Sequence, residues 1–142
     1  MRIKTRRFGE IEIDEKKIIS MPVRGMLGFP EQRQFVLLEQ EETRPFCWYQ
    51  SVDGPDLAMV VINPYLFKPD YDIDLSPAIQ EMAWEETSKE NFAIYVVVNF
   101  SDDEPPVITA NLIGPIVINT KKRESIQMVI SDSQYSHQER IV

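Results

Sequence analysis

The nine-residue run Phe92–Phe100, FAIYVVVNF, constrains this chain more than any other feature. Ile94, Tyr95, Val96, Val97 and Val98 are β-branched or aromatic, a set that suits a pleated surface and loses rotamer freedom in a helix. Apolar residues at successive positions imply a strand buried on both faces, and residues 57–62 (LAMVVI) repeat the pattern. A chain with two such strands must supply layers to cover both sides of each. Shorter strand-like segments surround them. Met1, Ile3 and Thr5 alternate with Arg2, Lys4 and Arg6, and Glu10-Ile11-Glu12-Ile13 alternates strictly, as in strands with one dry and one wet face. Residues 18–21, 35–38, 46–49, 107–111, 116–119 and 125–129 complete the set. Polar or Gly/Pro-rich stretches separate them: residues 14–17, then Pro22, Gly25, Gly28 and Pro30, then Asp53-Gly54-Pro55.

One segment has helical character. Ser76 suits an N-cap and Pro77 a first helical position, while Ile79, Met82 and Ala83 give an apolar stripe with Glu81 and Glu85 on a wetter side. This predicts a helix ending near Thr87 and Ser88. Many short strands and one short helix give a mostly β fold: a small antiparallel β-barrel, favoured because closure removes exposed edges, or a barrel-like sandwich. The pattern alone leaves those two open. At 142 residues, with no internal repeat and no Gly/Ser linker, a single domain over residues 1–142 is expected, with a polar, mobile tail from about residue 131.

The formal net charge of −8 disfavours direct nucleic-acid binding, which needs clustered Lys and Arg. It is unevenly spread. Residues 70–104 carry ten acids and one base, Lys89, whereas residues 1–24 carry seven bases and four acids. The basic N-terminus has no apolar run behind it, and no stretch approaches a membrane span; a cytoplasmic location without membrane contact is the expectation.

Catalytic and metal motifs are lacking. The single cysteine, Cys47, lies between Phe46 and Trp48 and reads as a small buried hydrophobe. The single histidine, His137, sits in the polar tail. Asp70, Asp72 and Asp74 have the opening spacing of a calcium loop, but the sixth position is Leu75 where glycine is required. Gly25 and Gly28 belong to no phosphate-binding pattern and read as turn residues. No cofactor or metal is expected, and no catalytic residue is assigned.

Three segments together resemble the flagellar assembly factor FliW family. The first is Met26-Leu27-Gly28-Phe29-Pro30 followed by Phe35 and Leu37. The second runs through Pro45-Phe46-Cys47-Trp48-Tyr49-Gln50-Ser51, Leu57-Ala58-Met59 and Asn63-Pro64-Tyr65-Leu66-Phe67-Lys68-Pro69-Asp70-Tyr71. The third is Thr109-Ala110-Asn111-Leu112-Ile113-Gly114-Pro115-Ile116-Val117-Ile118-Asn119. Arg123, Gln127 and Tyr135 also match, while Gly114 stands where the family more often has Ala and Trp48 where many members have Leu. The resemblance implies a non-enzymatic regulator of flagellar assembly. Such a protein sequesters the translational repressor CsrA, a small basic RNA-binding dimer, and also binds flagellin, so that partner switching couples flagellin translation to export.

Charge fits that role independently, since an acidic surface speeds encounter with a basic partner. The candidate partner-binding residues are acids flanking aromatics: Phe67, Asp70 and Tyr71 in a Pro-rich loop, Glu85 and Glu86 on the helix face, and Asp102, Asp103 and Glu104 at a loop tip. Tyr71 reads equally well as packed inward, and the 102–104 tip as a solvated turn. The alternative function is a small-ligand-binding β-barrel or minor hydrolase, which requires polar groups such as Asp56, Asn63 and Asn111 to converge on an apolar cavity.

Overall fold

Among the described residues of this computed structural model, 1–131 and 134–141, the chain forms eleven strands and one α-helix. A hairpin of β1 (Arg2–Thr5) and β2 (Gly9–Glu12) precedes β3 (Ile19–Ser20), β4 (Gln34–Glu39), β5 (Cys47–Ser51) and β6 (Ala58–Ile62). The helix α1 (Ser76–Met82) leads to β7 (Phe92–Phe100), β8 (Ile108–Ala110), β9 (Ile116–Asn119), β10 (Glu124–Gln127) and β11 (Glu139–Arg140).

The run that dominates the sequence is β7, and its length lets it serve two neighbours on one side. Phe92 to Tyr95 pair with Asn119 to Ile116 of β9, while Val98 to Phe100 pair with Ala110 to Ile108 of β8. On its other side β7 pairs with β6 through Val61↔Val97 and Ile62↔Val96. Antiparallel pairing continues from β6 through β5 and β4 to β3, and from β9 to β10. One parallel contact, Glu124↔Ser20, joins β10 to β3 and closes the ring. The fold is therefore a barrel and not a sandwich.

Both faces of the ring are covered, which explains the unbroken apolar runs. Ile19, Phe35, Tyr49, Val61, Ile116 and Ile118 project into the interior and fill it. On the outer face, Ile94, Val96, Val98, Val117, Ile126 and Met128 pack under Tyr71, Ala78 and Trp84 from the 63–91 crossover. The β1–β2 hairpin covers another stretch of the outside, with Ile3 and Ile13 against Val36 of β4. Cys47 is buried in the interior cluster, as its apolar neighbours predict.

Two expectations change. The helix is shorter than its apolar periodicity suggests, and Ser76 is not its cap. Asp74 Oδ1 accepts from Ser76 N–H, and the chain leaves the helix at Ala83 in the left-handed region (φ 54°, ψ 40°). The cause is Trp84, which turns inward to 5% exposure, lies 5.5 Å from the Phe92 ring and donates Nε1–H to Glu124 at 2.9 Å. Burying that indole outweighs another helical turn. The segment after residue 131 also departs from the mobile-tail expectation where it is described; residues 132–133 and 142 lie outside the described set. β11 pairs with the free edge of β8, Leu112 N–H donates to Ser136 C=O at 2.9 Å, and Tyr135 packs edge-on to Tyr71 at 4.8 Å. Its apolar residues Tyr135 and Ile141 join the outer cluster, and β8 would otherwise present an open edge.

Candidate functional site

The outer covering leaves a groove of ≈ 690 Å³ beside α1. Its construction starts with Ala78, which α1 buries against Ile126 and Met128. The strand does not stop at the end of β10. Met128 N–H donates to Pro115 C=O and Ile130 N–H to Ile113 C=O, both at 2.8 Å, so residues 128–130 run on as one wall. Pro77, Ala78 and Glu81 form the facing wall, with Asp72 and Asp74 at its entrance. Arg24 spans one end: its Nη1 pairs with Glu81 and its Nη2 donates to Gln127 C=O at 2.9 Å. The groove thus has an apolar floor and an acid-rich rim, with one base already engaged by one of its three acids.

Beside it lies an apolar surface. Leu27 N–H donates to Gln127 Oε1 at 3.1 Å, which fixes the 22–30 loop against the strand two residues before Val129. Val23, Leu27, Phe29 and Val129 are 45%, 49%, 46% and 59% exposed. Large apolar groups left in water together mark an interaction surface more often than single ones do. The glycines that shape this loop act as expected. Gly28 has φ +89°, and a Cβ at Gly25 would meet the Gln32 and Pro30 carbonyl oxygens at 2.7 Å.

These groups offer contact surface. No His, Cys, Asp or Glu cluster among the described residues could hold a metal ion. Asp74 accepts from Ser76 N–H just before α1, and that hydrogen bond holds its carboxyl below the usual range. Burial pushes the Cys47 thiol up, the opposite of an activated nucleophile. Asp56, Asn63 and Asn111 do not converge. Asn63 accepts from Tyr65 N–H and Asn111 from Ile113 N–H, while Asp56 lines a separate shallow hollow with Arg6, Arg7 and Trp48.

The candidate partner-binding residues fall into separate groups. Asp70 is exposed, 3.8 Å from Lys68, and Phe67 is half-buried against the outer cluster. Tyr71 is 3% exposed and donates its hydroxyl to Leu112 C=O at 2.6 Å, so of its two readings the inward-packed one holds. Glu85 and Glu86 lie beyond the helix end and not on its face. Glu85 is exposed, whereas Glu86 accepts from Asn119 Nδ2 at 2.9 Å and lies 3.9 Å from Lys122. Asp102, Asp103 and Glu104 are exposed on the β7–β8 loop, whose start Ser101 Oγ ties down by accepting from Asp103 N–H and Val107 N–H. Glu86 sits beside Asn119, the partner of Phe92, so the two acidic groups are at opposite ends of β7, about 25–30 Å apart along the strand.

The groove residues Arg24, Asp72, Asp74, Glu81 and Val129 were not among those candidates. The sequence marked Asp72 and Asp74 only as an incomplete calcium spacing and Glu81 only as a wet helix position, and the apolar Val23, Leu27 and Phe29 in a Gly/Pro loop were an indirect signal. Arg123, Gln127 and Tyr135, which carried part of the family resemblance, are structural. Arg123 takes a left-handed conformation (φ 54°) and donates to Lys17 C=O at 2.7 Å. Gln127 bridges Gly114 C=O and Leu27 N–H, and the Tyr135 hydroxyl accepts from Asp72 N–H at 2.7 Å.

The FliW protein family model matches residues 2–141. The chain is 43% identical over 135 residues to the flagellar assembly factor FliW of Syntrophus aciditrophicus, covering 95% of this chain and 84% of that one. It is 40% identical over 141 residues to the FliW of Geobacillus thermodenitrificans, covering 99% and 95%. A crystal structure of the flagellar assembly factor FliW superposes with a TM-score of 0.87 at 39% identity, over 99% of this chain and 96% of the other. Agreement of profile, sequence and fold over nearly the full length places this chain in the FliW family of flagellar assembly factors.

Proposed function

We propose that this chain is a cytoplasmic partner-switching regulator. It sequesters the basic translational repressor CsrA, binds flagellin, and acts by contact without catalysis. Flagellin held inside the cell occupies it; export of flagellin frees it to capture CsrA and lift repression. The observation that carries the reading is the acid-rimmed groove with its exposed apolar shoulder, on a molecule of net charge −8. Complementary charge accelerates encounter with a basic protein, and apolar anchors at the centre of a contact supply most of the affinity. A barrel interior filled by Phe35, Tyr49 and their neighbours supports this reading over a ligand-binding barrel.

Titration of the purified chain with labelled CsrA and with flagellin tests the proposal. Each is expected to form a complex, and each to weaken the other's. The separation of the acids along β7 allows the docking face to be located. An Asp72→Lys variant cancels the net charge of the groove rim, a Glu85→Lys variant alters the segment after α1, and an Asp102→Lys, Asp103→Lys pair alters the far loop. The set that meets CsrA slows association several-fold and flattens its salt dependence. Absence of any complex with either protein, or association rates unchanged in all three variants, would count against the proposal.

A further inference from the structure

Alternation along residues 126–130 leaves a backbone edge open beside the groove. Met128 and Ile130 direct their N–H groups at Pro115 and Ile113, so the N–H and C=O of Gln127 and Val129 point the opposite way. Upstream, that opposite side is occupied: Ser20 N–H donates to Arg123 C=O at 2.9 Å, and Arg24 takes Gln127 C=O. At Val129 the coverage ends. Among the described residues neither its N–H nor its C=O has a hydrogen-bond partner, and its side chain is 59% exposed. An uncovered strand edge is a template for another strand.

The two faces of this edge differ. Ile126, Met128 and Ile130 share the face that lines the groove, whose rim carries Asp72, Asp74 and Glu81. Arg24 compensates Glu81, but neither Asp72 nor Asp74 is in an ion pair among the described residues. Val129 borders the groove as well, but alternation turns its side chain away from those of Met128 and Ile130, to the side where Leu27 N–H meets Gln127. We propose that this edge binds an extended segment of a basic partner protein as an added strand, hydrogen-bonded to Val129. Lys or Arg side chains at alternate positions enter the groove, with stems over Met128 and Ile130 and heads at Asp72 and Asp74. The intervening apolar side chains lie beside Val129 and Leu27. Long basic side chains suit such a site because their stems are apolar and only their ends are charged. This rests on the reading of the chain as a protein-docking regulator and specifies how one partner segment is held.

The test is amide hydrogen exchange and chemical-shift mapping on the full, isotope-labelled chain with the peptide acetyl-Lys-Val-Lys-Val-Lys-Val-Lys-amide. Two further peptides carry N-methyl groups on one or the other set of alternate residues, which blocks pairing along one edge only. The expected result is slowing of Val129 exchange by ~10-fold or more at saturation. One N-methylated peptide retains binding and the other loses it, and Asp72→Lys, which alters no hydrogen bond of the fold, weakens binding several-fold. No binding, binding without Val129 protection, or equal tolerance of both N-methyl sets overturns the inference. The same exchange measurement on the complex with CsrA separates the two claims. A CsrA complex that leaves Val129 unprotected refutes added-strand docking and leaves the regulator reading standing. Failure to bind CsrA or flagellin refutes the regulator reading, whatever the peptide does.

Discussion

Glu86 is an acid in an acid-rich stretch whose surroundings make it a fastener and not a free docking charge. Its carboxylate accepts from Asn119 Nδ2, and the fully buried Asn119 in turn accepts from the Lys121 and Lys122 N–H groups, fixing the turn between β9 and β10. That hydrogen bond, more than nearby Lys122, holds the Glu86 pKa below its ordinary value. The sign follows from linkage. A depressed carboxyl pKa stabilises the fold above the unfolded-state value, and the contribution is lost as pH falls through the folded value. Glu86→Gln is therefore expected to be less stable than the wild type at neutral pH. The difference should close as pH drops below the ordinary glutamate range. Urea unfolding midpoints of both proteins from neutral to acid pH check this; a difference constant with pH would show that charge at Glu86 is irrelevant to stability.

At the scale of elements, α1 ends where tertiary packing demands it. Ala83 occupies left-handed space, which costs an L-residue with a Cβ roughly 1–2 kcal/mol. Its N–H still bonds back to the Ile79 and Gln80 carbonyls, so the position is a helix C-cap that glycine fills without strain. Ala83→Gly should stabilise the protein by about 0.5–1 kcal/mol, the relief of strain less the added entropy of glycine in the unfolded chain. Chemical unfolding gives the sign directly. The Trp84 indole that imposes this turn also ties the crossover to the barrel seam, because its partner Glu124 is the residue that pairs with Ser20.

For the whole molecule, the C-terminal segment is an outer stave and not an appendage. β11 covers the edge of β8, Ile141 N–H donates to Ile108 C=O at 2.9 Å, and Tyr135 packs on the tyrosine that anchors the 63–75 loop. A chain ending at residue 133 is expected to lose about 2–4 kcal/mol of stability from lost hydrogen bonds and apolar burial. It should also self-associate through the uncovered β8 edge. Unfolding midpoints and sedimentation velocity read the two effects separately. An unchanged midpoint with a monodisperse monomer would mean that the segment contributes nothing to the closed fold.

Strand positions were legible in the sequence because their signal is local. β7 and β9 occupy the runs that β-branched content marked, and the alternation of Ile3 and Thr5 with Arg2 and Lys4 identified the dry face of β1. Cys47 was legible as core from its neighbours. The family, too, was written in the order of its short motifs. A barrel was the favoured reading of the sequence, but the pairing that closes it was not legible, since it is one parallel contact between residues about a hundred positions apart, Ser20 and Glu124. The early end of α1 depends on a pocket for Trp84 that only the folded sheet provides. The groove was hidden for the same reason: Arg24, the Asp72 to Glu81 stretch and Val129 come from three segments distant in sequence. Local chemistry sets what each segment can become, whereas a site assembled across the chain exists only after long-range packing has chosen which faces meet.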